Sequence, residues 1–411
     1  MREHLEYAPD ELEVNALRCY YVYFISITLY FLVLIFLALF RSSPYCVGVC
    51  EASSWRIGDW LINYSGGFVR RGLSGHVILA ITDLFNFDVT PAVVFVQIFF
   101  YSLTLLFIWA LARRQTAGLG DFLMLIVSPA FVSFMIFNPD TFRKELLFFA
   151  LLAALAFFAT RNPTRTMRYT IISLSLMPLL ILTHEMLVLL TPYLFLVAKT
   201  VNPDVSLRNR FLWIPLGLIL LATVLVVSHP GNETISLALK NDIISRGIPV
   251  DVEHGAFDAL QSSPGQEMKE LLSLISSKDP NFIQKYIIVL FLASIPFFFH
   301  SARLKRIFLS RESKLLLLAT LAGTLFLMSM ACDWGRFLHI HVVALGIVLL
   351  SAKPDERRSY WHSAWPAAFL VAMCVLYGSS WRLSSITQDI VNPTPSRVLI
   401  PLFDAIRGIL S

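Results

Sequence analysis

YYVYFISITLYFLVLIFLALF, residues 20–40, holds 21 residues without a charge. A helix rises 1.5 Å per residue, so about 20 apolar residues cross the hydrocarbon core of a bilayer. This run therefore reads as a membrane span. Comparable runs recur along the 411-residue chain, which is 56% hydrophobic and 15% charged. Soluble domains carry roughly 25% charged residues. Mean hydropathy is +0.68. The sequence predicts an all-α polytopic membrane protein with spans near 20–40, 90–112, 121–137, 146–160, 169–183, 186–198, 211–228, 285–299, 315–330, 338–351 and 364–378. The whole chain, 1–411, then forms one integral membrane domain. Residues 1–19 are acidic and lack a small-residue cleavage site, so the first run is expected to be retained rather than removed as a signal peptide.

Lys and Arg in short loops set orientation. The loops holding Arg113–Arg114, Arg161–Arg168, Lys199–Arg210, Arg303–Lys314 and Lys353–Arg358 contain sixteen; the alternate short loops hold only Arg143, Lys144 and Arg336. The bias puts the first set in the cytoplasm. The N-terminus is then cytoplasmic and, after about 11 spans, the C-terminus extracytoplasmic. The net charge of +5 is thereby read as membrane orientation, and no nucleic-acid partner is expected. Three regions lie outside by this map: a first loop at 41–89, a large loop at 229–284 and a C-terminal tail at 379–411. The apolar stretch Gly75–Phe85 is too short to span. It is expected to lie in the interface or to re-enter the membrane. The tail ends in an amphipathic stretch from Arg397 that is expected to lie on the membrane.

Chemistry-bearing residues gather on the same outer side. WRIGDWLINYSGGFVRRGLSG (55–75) offers Asp59, a candidate base for a hydroxyl. It also offers Trp60 and Tyr64, flat faces for a sugar, and Arg70 and Arg71, phosphate ligands. Gly66 and Gly67 allow a sharp turn or close approach. The competing reading is a connector whose rings sit in the interface belt. NPDTFRKE (138–145) holds Asp140, Arg143, Lys144 and Glu145. The Asp140–Lys144 and Thr141–Glu145 spacings suit one helical face, while Asp140 or Thr141 also suits an N-cap. His184–Glu185 interrupts an apolar stretch, where ionisable groups are costly. The pair suits proton transfer or phosphate contact, but matches no zinc spacing. CDWGRF (332–337) offers Asp333, Trp334 and Arg336, either as ligand contacts or as a self-neutralising Asp–Arg pair, with His339 and His341 beyond. The large loop has no catalytic spacing and is expected to pack over the outer opening as a lid or acceptor-binding surface. Cys46 and Cys50 form a short-loop disulfide or remain two thiols. Asn63 and Asn232 open glycosylation triplets of the kind that arise by chance.

An acid in the first outer loop (Asp59) followed by an interfacial helix, a second acid (Asp140) in the next outer loop, and a large later loop on the same face resemble the GT-C class of membrane glycosyltransferases. The outer arginines with His184–Glu185 are also similar to bacterial O-antigen and capsule polymerases. The resemblance is topological and covers roughly residues 1–210. It implies a GT-C-like fold in a bacterial inner membrane, taking sugar from a polyprenyl-linked donor to a glycan or lipid acceptor. It implies Asp59, Asp140, His184 and Glu185 as catalytic; Arg70, Arg71, Arg143, Lys144 and Arg336 on the donor phosphate; and Trp60, Tyr64, Asp333 and Trp334 on the acceptor. No cofactor is expected, with a divalent metal left open. A transporter or flippase of lipid-linked sugars is the competing expectation, and a structural subunit the third.

Overall fold

A computed structural model describes residues 11–41, 54–115, 119–138, 141–248, 255–261, 264–278, 281–353 and 367–384. Every regular element among them is helical. Six segments are long and apolar enough to cross a membrane: Arg18–Leu39, Val89–Ala112, Pro163–Thr183, Arg210–Ser228, Phe282–Phe299 and Trp334–Ser351. They belong to helices α1 (Glu11–Arg41), α4 (Val89–Ala112), α8 (Thr166–Thr183), α10 (Trp213–Ser228), α13 (Phe282–Phe299) and α16 (Trp334–Ser351). The remaining expected spans correspond to shorter helices: α7 (Glu145–Arg161), α9 (Thr191–Val201), α15 (Arg311–Met328) and α17 (Ala367–Ser380).

Two of the expected spans are discontinuous. The stretch 121–137 divides into α5 (Leu119–Ile126) and a single turn, α6 (Phe134–Phe137). Pro129 falls in the break, where its missing N–H and ring disfavour a continuous helix. Ser133 Oγ donates to the Ser128 carbonyl at 3.1 Å, satisfying a freed acceptor. The stretch 186–198 begins as a 3₁₀ turn, Glu185–Leu190, and becomes α-helical only at Thr191, with proline at the first turn. Between α8 and that turn His184 is extended, at φ −161° and ψ 113°.

α7 and α16 sit at the centre. α7 packs on α4, α8, α9 and α16. Its Ala150, Ala153, Ala156 and Ala159 are all buried, a stripe of small residues that lets neighbouring backbones approach. Outward-facing Leu29, Phe36, Phe95, Leu220, Phe291 and Leu325 are exposed instead, the reverse of a water-soluble surface and the arrangement that lipid solvates.

A second, smaller core covers one end of the bundle. It joins α2 (Ser54–Leu61), α3 (Gly72–Phe85) and α11 (Glu233–Ser245) through Trp60, Ile62, Ile78, Leu239, Ile243 and Phe257. The first outer loop and the large outer loop are thus one layer. α3 seats so closely that a Cβ on Gly75 would lie 2.2 Å from the Ile62 carbonyl oxygen. Its other face leaves Val77, Ile81 and Leu84 exposed. The large outer loop also holds α12 (Pro264–Ser273), followed by a π-helical turn, Leu274–Lys278.

The basic loops meet at the opposite end. Arg114 donates to Thr160, Gln115 Nε2 donates to the Leu350 and Ala352 carbonyls, Arg303 donates to Gln115 Oε1 at 3.0 Å, and Lys199 pairs with Glu312. The two sets of loops read from the sequence therefore occupy two ends of the bundle. The end with the second core is called the outer end below, after the face the basic bias assigns it.

Candidate functional site

At the outer end four separated segments bring their charges together. Arg71 grips Glu185 as a fork, with Nε 2.9 Å from Oε2 and Nη2 2.6 Å from Oε1. Arg70 Nη1 reaches the same Oε1 at 3.5 Å, and its Nη2 donates to the Ala259 carbonyl at 2.9 Å. Beside this pair stands a second. Arg143 Nη1 and Arg336 Nη1 lie 3.2 and 3.1 Å from Asp333 Oδ2. Arg336 Nε is also 3.1 Å from Glu145 Oε1. Between the pairs, Lys144 Nζ donates to the Arg71 carbonyl at 2.9 Å. His184 Nδ1 stands 3.5 Å from Glu185 Oε2.

The members are layered by depth. Glu185 and Asp333 keep side chains 22% exposed, whereas Asp59, Lys144, Glu145 and His184 are at most 2% exposed. Asp59 Oδ2 accepts no hydrogen bond, while Glu145 is met by Arg336 as an ion pair. An unpartnered buried carboxylate is costly unless nearby charge compensates it. Burial pushes the Asp59 carboxyl up, but Lys144, His184, Arg143 and Arg71 outweigh it and hold the group below its ordinary value. Glu185 is likewise opposed by burial and held well below the ordinary carboxylate value, chiefly by Arg71. Burial wins at the other three: Glu145 is raised despite His184 and Arg143, and Asp333 is raised despite Arg143 and Arg71. Lys144 is lowered to about 8, with Arg71 and Arg143 adding to the effect of burial.

Local backbone geometry aims these groups. Phe142 adopts φ 63° and Arg71 φ 68°, a left-handed conformation uncommon for residues other than glycine and an outlier for a bulky aromatic. Trp60 Nε1 donates to the Phe142 carbonyl at 2.7 Å, and Thr141 Oγ1 bonds the Met135 and Asn138 carbonyls. The Arg56 guanidinium covers the Phe142 ring at 4.9 Å, and Arg143 lies 4.5 Å over Trp55. The twisted residue directly precedes Arg143 and Lys144, so the clamp turns both toward Asp59.

Several expectations need correction. Trp60 cannot offer a face to a sugar, because it is fully buried with its N–H committed to Phe142. Trp334 is partly exposed; it packs beside Phe282 and Tyr286 and donates to the Met328 carbonyl at 2.7 Å. The turn 141–144 is not helical, and α7 opens at Glu145. Thr141 therefore forms no i,i+4 pair and caps no helix, and Lys144 reaches Arg71 instead. Asn63 is buried and bonded to Asp242, and Asn232 caps α11. Tyr64 stays half-buried, stacked on Phe68. His339 is buried against Phe134 and Ala130, while His341 joins Tyr193 and Thr324 inside the bundle. Asp140, Cys46, Cys50 and the tail from Arg397 lie outside the described residues.

The sequence reading assigns no role to Phe142, Trp55 or the Ala259 carbonyl, and gives Glu145 only a helix-face pairing with Thr141. Glu145 carries a signal, as an acid in a charged turn between apolar runs. An aromatic residue at positive φ carries none. Among the described residues no three His, Cys, Asp or Glu side chains are grouped to hold a metal.

Several apolar spans, lipid-facing side chains and a charged cluster at one end define an integral, multi-pass α-helical membrane protein. Residues 24–272, more than half of the chain, match the family described as Uncharacterised membrane protein Rv1490. The chain belongs to that family. No curated protein and no solved structure matches it.

Proposed function

We propose that this protein is a GT-C-like glycosyltransferase that moves a sugar or oligosaccharide from a polyprenyl-linked phosphate donor to a glycan or lipid acceptor on the outer face of the membrane. The observation that carries this reading is Asp59: a buried carboxylate with an unbonded oxygen, kept charged by surrounding cations, at the membrane edge of the bundle. In the proposed reaction the acceptor hydroxyl attacks the anomeric carbon, and the bond from that carbon to the donor phosphate breaks. Asp59 orients the hydroxyl and takes up its proton. The arginines hold the charge that develops on the departing phosphate. A lipid-linked donor arrives laterally, so the site belongs beside an interfacial helix such as α3, whose exposed apolar residues suit the outer leaflet.

A second reading, a transporter or flippase of lipid-linked sugars, is favoured by the two discontinuous segments and by His184–Glu185 at one break, since transporters build sites on interrupted helices. One experiment separates the two. Cells lacking the gene are complemented with wild type, Asp59→Asn or Arg71→Ala at matched expression, and lipid-linked sugars are assayed by leaflet. Accumulation on the outer leaflet, rescued by wild type alone, supports transfer. Accumulation on the inner leaflet supports flipping and rejects transfer. Full rescue by both variants rejects the site.

A further inference from the structure

The cations of the cluster do not form a single ring. They form two arginine pairs, each sharing one carboxylate: Arg70 and Arg71 share Glu185, and Arg143 and Arg336 share Asp333, with Arg336 Nε also on Glu145. The pairs are neighbours, because Lys144, next to Arg143 in the chain, donates to the Arg71 carbonyl. The Arg71 charge also reaches the Asp333 carboxyl. Glu185 and Asp333 are the partly exposed carboxylates of the cluster, with side chains 22% exposed. The groups beneath them are buried. A ligand entering from outside therefore meets two guanidinium pairs whose present partners have a path to water.

Carboxylate and phosphate are alternative partners for the same guanidinium fork, since both present paired oxygens at matching spacing. From the two pairs we infer that the site takes a diphosphate ester rather than a monophosphate, one phosphoryl group on Arg70 and Arg71 and the other on Arg143 and Arg336, with Glu185 and Asp333 released toward solvent. A monophosphate fills one pair and leaves the other on its carboxylate. The inference rests on the proposed site and sharpens the class of its donor. Charge also permits it: among the described residues of the cluster, five Lys and Arg side chains (Arg70, Arg71, Arg143, Lys144, Arg336) face four carboxylates (Asp59, Glu145, Glu185, Asp333).

The test uses the full-length protein in lipid nanodiscs, with binding read by thermal shift and titration. The probes are farnesyl phosphate, farnesyl diphosphate, inorganic phosphate and inorganic pyrophosphate. Each added charged hydrogen-bonding group is expected to gain about 10- to 100-fold, so farnesyl diphosphate should bind tighter than farnesyl phosphate by that factor. Arg71→Ala and Arg336→Ala should each erase the preference. Pyrophosphate much weaker than farnesyl diphosphate assigns the diphosphate to a lipid; equal binding assigns it to a soluble ester. Equal affinity of the wild type for the two farnesyl compounds overturns the inference without any variant, as does loss of preference from one arginine pair alone. Diphosphate preference in a protein whose deletion leaves lipid-linked sugars unchanged retains the ligand class and rejects glycosyl transfer.

Discussion

Glu185 shows what the cluster does for the fold as well as for a ligand. Its carboxyl is held well below the ordinary value, chiefly by the Arg71 fork. A depressed carboxylate contributes stability that is present above its unfolded pKa, about 4.3, and is lost as pH falls through the lower folded value. The wild type should therefore lose thermal stability below about pH 4.3, and Glu185→Gln should show a shallower slope there; equal slopes would exclude the ion pair. Lys144 gives a slope of the same sign at higher pH, but there the charged form is the one the fold disfavours. Its folded value is depressed to about 8, so the unfolded chain holds the proton more tightly and stability rises with pH between about 8 and 10.4. Lys144→Met should flatten that rise in thermal melts taken across the same interval. Trp60 is the third test at this scale. Trp60→Phe keeps a ring but strands the buried Phe142 carbonyl, a loss of about 1–3 kcal/mol. Denaturation in detergent that is unchanged would show that the 2.7 Å bond does not brace the turn.

Elements were legible in the sequence where the physics is one-dimensional. An uncharged run of span length has few fates, and α1, α4, α8, α10 and α13 lie where such runs predict them. The breaks were less legible. Residues 121–137 and 186–198 are predominantly apolar, and composition does not distinguish an α-helix from a 3₁₀ turn followed by a proline-initiated helix. Asp59, Arg71 and Arg336 stood out because charges beside apolar spans are conspicuous. Phe142 did not, because the hydrogen bond its carbonyl accepts comes from Trp60, 82 positions away in the chain. The outer layer was hidden for the same reason: Trp60 and Leu239 share a core that no local pattern records. Gly75 tests that layer. Gly75→Val places a side chain where a Cβ already lies 2.2 Å from the Ile62 carbonyl oxygen, so overpacking should cost about 1–3 kcal/mol and speed proteolysis within α11. Wild-type cleavage rates would show that α3 does not seat this layer.

For the whole molecule, function depends on which way the bundle stands in the membrane. The basic loops and the charged cluster lie at opposite ends, and a transferase drawing on outer-leaflet donors needs the cluster outside. The deciding measurement is labelling of single cysteines, in a background with the five native cysteines replaced by serine, using a membrane-impermeant maleimide on intact cells. Phe68 is exposed beside the arginine pair, and Leu309 is exposed between α14 (Ser301–Ile307) and α15 at the opposite end. Phe68→Cys should label in intact cells and Leu309→Cys only after permeabilisation. The reverse pattern would place Asp59 and its arginines in the cytoplasm and contradict the proposed outer-face transfer.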